Sequence, residues 1–190
     1  MDVAALRRVM DAGHPLEPDV LAGRQYLGVD LSMPGWARRL LWLTFRKTFV
    51  RDEADGGVRG WNVRMEQHGV DGPRVPLRAR DGRARTFGHY RVRSAAGTRF
   101  PRGWSGTHVL DYTTAGNLWG DFARLACTPL VAVNEGSQDL LLGWEVLRLG
   151  GRLVPLPLYW ALRHEGPLEE VVPPPRPVRE PPRLPPEAGA

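Results

Sequence analysis

The chain has 190 residues, 42% of them hydrophobic, and a formal net charge of +5, enough for one domain with a sizeable core, or one domain and a tail. Its basic residues are 25 arginines and one lysine, Lys47, spread along the whole length; the bias reads as GC-rich coding, and with no helix-turn-helix, zinc-finger spacing or aromatic-basic RNA signature it does not point to nucleic acid. The single cysteine, Cys127, excludes an internal disulfide framework and a cysteine-rich metal site, and the lack of a signal-peptide pattern or an apolar run of about 20 residues reads as a soluble, cytoplasmic protein.

Val3, Leu6 and Met10 share one face of a first helix, which Gly13 and Pro15 end. Arg24 to Asp30 reads as a strand. Residues 32–50 read as an amphipathic basic helix, with Ser32 as cap, Pro34 in the first turn and Trp36, Leu40, Leu41, Phe45 and Phe49 as the apolar stripe. Arg38, Arg39, Arg46 and Lys47 are expected in solvent. Such a helix over 35–50 either covers a barrel mouth or makes weak contact with an anionic membrane, the basis of a peripheral membrane or protein-interaction role.

Beyond the acidic turn RDEADGG the period becomes two. Trp61, Val63 and Met65 alternate with polar residues, Asp81-Gly82 can close a hairpin, and strands are predicted over 86–93, 107–113 and 129–134. From Asp139 to Glu165 the chain reads as a long hairpin about Gly150-Gly151, with Val154, Leu156, Leu158, Trp160 and Leu162 at every second position. Trp144 and Trp160 both occupy even positions and are expected to share a face in a core role. Seven or eight strands after early helices predict a mainly β (α+β) domain over residues 1–172, a curled antiparallel sheet or lipocalin-like barrel with one or two N-terminal helices. Residues 173–190 hold 8 prolines in 18 positions and no aromatic, the composition of an extended, disordered tail. Its Arg179 to Pro185 has the spacing of an SH3 ligand, which proline-arginine tails often produce by chance.

No motif specifies a reaction. Ser105 in GWSGT lacks the second glycine of a nucleophile elbow, because position 107 is threonine, and no phosphate-binding glycine loop is present. His14, His68, His89, His108 and His164 have no metal-ligand spacing, so neither a metal nor a cofactor is expected. His89 and His108 fall within predicted strands, and His108 shares a face with Tyr112; an imidazole and a phenol would line a barrel together, as an acid–base pair or as polar lining. The reading that follows is non-enzymatic binding of a small hydrophobic or amphipathic molecule in a barrel-like cavity lined by Tyr26, Trp61, Tyr90, His108 and Tyr112. The enzyme alternative is a cofactor-independent isomerase, cyclase or dehydratase using His108, Tyr112 and His89. No feature specifies an oligomeric state.

The segment LEPDVLAGRQYLG is similar to the N-terminal motif of the GXWXG protein family, in which a short helix leads through Leu-x-Gly into a strand with an aromatic residue and a second glycine. Gly23, Tyr26 and Gly28 stand at those places, with tyrosine for tryptophan and one extra residue of spacing. PLVAVNEGSQDLLLGWEVLRLGGRLVPLPLYWALRHE resembles the small β domain of unknown function that commonly follows the motif. The resemblance implies a compact β architecture of the lipocalin or half-barrel type that binds a ligand, and carries over no catalytic residue.

Overall fold

The computed structural model describes residues 2–32 and 43–178. Helix α1 (Val3–Ala12) opens on Asp2, whose carboxylate accepts hydrogen bonds from the Ala4 and Ala5 amides, the usual way to satisfy amides that lack an intrahelical partner. A short α2 (Pro18–Leu21) leads into eight strands: β1 (Arg24–Asp30), β2 (Thr44–Arg51), β3 (Val58–Arg64), β4 (Thr86–Ser94), β5 (His108–Asp111), β6 (Cys127–Ala132), β7 (Leu140–Leu149) and β8 (Arg152–Pro167). Each pairs antiparallel with the next, and β8 returns to pair with β1, so the sheet closes into a barrel without a free edge. The mainly β class with N-terminal helices is as the strand pattern predicts. Gly150 (φ 54) and Gly151 (φ 80) close the last hairpin, both in the left-handed region that a two-residue primed turn demands.

The alternation of each strand splits the apolar residues between two sides of the wall. Tyr26, Phe45, Phe49, Tyr90, Leu110, Leu130, Leu141, Trp160 and Leu162 fill the interior. Outside, Leu6 and Met10 of α1 cover Val109, Val131, Leu142, Trp144 and Tyr159, and a smaller cluster of Trp61, Val63 and Met65 packs beneath Leu168 and Val172. Interior glycines make room for the large rings: a Cβ at Gly28 would overlap the ring of Phe45, one at Gly143 that of Trp160, and one at Gly60 the end of Tyr90.

Three expectations are corrected. Residues 44–50 belong to a strand and not to a basic helix. Phe45 and Phe49 are spaced by four, which is close to one helical turn and equally two strand repeats, so both periods place them on one face; Lys47 between them then points inward with them and Arg46 outward. Neither cation is in solvent: Arg46 is 8% exposed and Lys47 1%. Arg46 pairs on the outer wall with Glu165 at 2.9 Å and Glu169 at 3.1 Å. The third correction concerns Trp144 and Trp160, which are both buried but on opposite sides of the wall. Across a two-residue turn Leu149 pairs with Arg152, so even positions of β7 oppose odd positions of β8; Trp144 faces Tyr159, and Gly143 faces Trp160.

The remaining part of the expected helix, with Trp36, Arg38, Arg39, Leu40 and Leu41, lies outside the described residues, as does the Arg179 to Pro185 segment. Within the proline-rich stretch, the guanidinium of Arg176 sits 5.7 Å from the ring centre of Trp119. Among the described residues no helix is long and apolar enough to cross a membrane.

Candidate functional site

At the end of the barrel where β1, β3, β5 and β7 finish and β2, β4, β6 and β8 begin, the aromatic filling gives way to a cavity of about 200 Å³. At the opposite end Leu16 and Leu21, from the segment around α2, join the interior cluster. Phe45, Phe87, Leu158, Trp160, Ala123 and Ala126 supply the apolar walls, and Asp30, Lys47, Asn62, Tyr112 and Glu145 the polar groups.

Lys47 organises the floor. Its Nζ donates at 2.7 Å to Asn62 Oδ1 and at 2.7 Å to Tyr112 Oη. Asn62 is held for this by its own amide, which donates to the carbonyls of Gly88 at 3.0 Å and Phe87 at 3.4 Å, so its oxygen must face the lysine. The Lys47 nitrogen also lies 4.6 Å from the ring centre of Tyr90, 4.7 Å from Trp160, 5.3 Å from Tyr112 and 5.6 Å from Phe45. Ring faces of this kind attract a cation, but the two hydrogen-bond acceptors of Nζ, Asn62 Oδ1 and Tyr112 Oη, are both neutral groups. Burial lowers the Lys47 pKa to about 7, with the charge of Glu145 opposing part of the shift. Burial thus makes the neutral amine far more accessible than it is for a lysine in water.

Glu145 enters the cavity from β7, and its carboxylate accepts a bond from the Trp160 indole N–H at 3.4 Å. Burial raises its pKa, against that hydrogen bond and the Lys47 cation. Burial also pushes the phenols of Tyr90 and Tyr112 well above their ordinary range. The site thus joins a buried primary amine, a phenol that stays protonated and a carboxyl whose ionisation is opposed by burial, within largely apolar walls. Such a set can bind a polar group, exchange protons with it, or attack it through nitrogen.

Of the residues chosen from the sequence, Tyr112 lines the cavity, and Tyr90 lies beneath Lys47 with its hydroxyl donating to the Thr48 carbonyl. Tyr26 is deeper in the barrel, its hydroxyl donating to the Gln138 carbonyl at 2.9 Å. Trp61 is on the outer wall, where its ring sits over that of His89 at 6.0 Å; His89 has the parity opposite to Tyr90, and burial takes its pKa to about 4. His108 lies beside Thr107 at the start of β5 and does not line the cavity. The structure therefore brings Tyr112 together with a lysine, an asparagine and a glutamate in place of the two histidines.

No family model, curated protein or solved structure matches the chain. The site is read from its own geometry. Lys47, Asn62 and Glu145 were not among the residues picked from the sequence, yet one signal pointed to Lys47: among 26 basic residues it alone is not arginine. Where arginine serves as the default cation, a lysine marks a place that needs a smaller group or one able to lose its proton.

Proposed function

We propose that the cavity beside Lys47 binds one small amphipathic molecule, its apolar part against Phe45, Phe87, Leu158 and Trp160 and its polar atom toward Lys47, Asn62 and Tyr112. The observation that carries this reading is the placement of the buried amine, the amide and the phenol on the floor of an otherwise aromatic and aliphatic cavity. A core that served stability alone would gain by filling this space with apolar side chains, since buried polar groups cost free energy unless fully paired. The volume of about 200 Å³ is below the roughly 300–1,000 Å³ of pockets for drug-sized ligands, so the fitting molecule is a short-chain compound, or the headgroup of a longer one whose chain leaves through the mouth. Leu118, Trp119 and Phe122, all strongly exposed, precede Ala123 of the cavity wall in the chain and are the apolar surface such a chain would meet outside.

The test is titration of the full chain with a panel of short-chain alcohols, carboxylates, ketones and aldehydes, read by tryptophan fluorescence, alongside native mass spectrometry of freshly purified protein. The expected result is saturable quenching by at least one class in the wild type, lost in Trp160→Phe. If no class gives a saturable response and no small molecule co-purifies, the reading is wrong.

A further inference from the structure

We infer that Lys47 is a carbonyl-capturing nucleophile, taking short-chain aldehydes or ketones as imines within the barrel; this rests on the binding reading above and gives it a ligand class. Nζ lies on the cavity floor with fixed acceptors on two sides, Asn62 Oδ1 and Tyr112 Oη, each at 2.7 Å. The remaining approach to nitrogen is from the cavity, between the faces of Phe45 and Trp160. A carbonyl carbon seated there meets the amine at close range, and the apolar walls receive its alkyl substituents.

The residue type supports this use over a purely structural cation. A guanidinium would have fitted the composition of the chain and would have kept its charge, but it does not become a nucleophile at neutral pH. The sole lysine sits where burial makes its neutral form accessible, the charge of Glu145 offsetting only part of that effect, a standard means of activating an amine toward carbonyl compounds.

The step balances without an oxidant, reductant or further reactant. The nitrogen lone pair forms the C–N bond while the carbonyl oxygen takes a proton, giving a carbinolamine. The C–O bond then breaks, and the oxygen leaves as water with the two protons that the amine has given up, leaving a C=N bond to Nζ. Tyr112, a cavity phenol that burial keeps protonated, passes a proton to the departing oxygen, and Glu145, also in the cavity, is the second group placed to exchange one. Asn62 is a positioning residue that holds the amine in place.

One labelling experiment tests the inference, and the chain carries its own control. Its only primary amines are Lys47 and the N-terminal α-amine. Full-length protein is mixed at neutral pH with butanal and sodium cyanoborohydride, which traps an imine as a stable secondary amine, and peptide mapping follows each site over time. In the unfolded chain, held in urea, the α-amine reacts first because an ordinary lysine is almost wholly protonated at that pH. In the folded chain the order should invert, with Lys47 labelled about tenfold or more faster than the α-amine, saturating with butanal, and Tyr112→Phe slowing that label. Butanol, which lacks the carbonyl, should compete. If butanol and butanal both give saturable fluorescence responses while Lys47 labels no faster than the α-amine, the imine inference fails and binding stands. If butanal gives neither a response nor a Lys47 label, the imine inference fails, and if the rest of the panel is silent as well and nothing co-purifies, the binding reading fails with it.

Discussion

Lys47 is buried at a cost that depends on pH. Its pKa falls from about 10.5 in a free chain to about 7, so between those values the unfolded chain holds more of a proton than the folded one and stability rises with pH. The burden is full below pH 7 and relieved as the pH approaches 10.5, on the order of 5 kcal/mol over that window. The groups facing it act in the opposite direction: Glu145, whose pKa is raised, withdraws stability as it ionises, as do Tyr90 and Tyr112 at high pH. Comparison with Lys47→Met isolates the amine. At pH 6 the variant should be more stable by roughly 2–4 kcal/mol, the gain being reduced because Asn62 and Tyr112 each lose a partner, and the advantage should shrink steadily toward pH 10. Urea denaturation of both proteins at a series of pH values measures this. A variant less stable than the wild type at pH 6 would mean that the ring faces compensate the charge in full.

The strands place that amine by alternation and by their glycines. In β2 the sequence Phe45, Arg46, Lys47, Thr48, Phe49 sends every second residue inward, which puts Lys47 in the cavity and Arg46 in the ion pairs with Glu165 and Glu169. In β7, Gly143 stands opposite Trp160 and its missing side chain is filled by the indole. Gly143→Ala should therefore push Trp160 off its rotamer and into the cavity, at a cost of about 1–3 kcal/mol, and weaken any ligand response more than it weakens the fold. Thermal denaturation and fluorescence titration of the same variant separate the two effects. An unchanged titration would show that the indole moves away from the cavity.

The molecule has an inner core that carries the site and an outer one that carries α1. Leu6, 2% exposed, packs with Met10 on the outer face of the wall, separated from the cavity by the sheet itself. Leu6→Ala should lower stability by about 2–4 kcal/mol through the lost burial and the space left behind, while butanal labelling of Lys47 in the folded fraction stays at the wild-type rate. Loss of labelling in a variant that circular dichroism shows to be folded would mean that the outer layer tunes the interior. The closed wall also explains why Trp61 and His89 are remote from the site despite lying in strands β3 and β4 that line it: each is one residue out of phase with an interior neighbour, Asn62 or Tyr90.

Local sequence is enough to reach the barrel's parts. Period-two runs mark most strands, the Val3-Leu6-Met10 face marks α1, and Gly150-Gly151 marks the last turn, because each depends on neighbours a few residues apart. Ambiguity begins where one spacing serves two periods, as with Phe45 and Phe49, and there the pairing of β2 with β1 and β3 decides for a strand. The candidate site is less legible still. Tyr112 and the lone lysine are visible in the chain, but Lys47, Asn62, Tyr112, Glu145 and Trp160 come from five strand or strand-end positions, the first and last of them far apart in sequence. Which face each presents depends on cross-strand register, and register is set by turn lengths and bulges such as the one between Trp144 and Val146. Burial, which creates the unusual acidity of the Lys47 ammonium, exists only once the wall has closed.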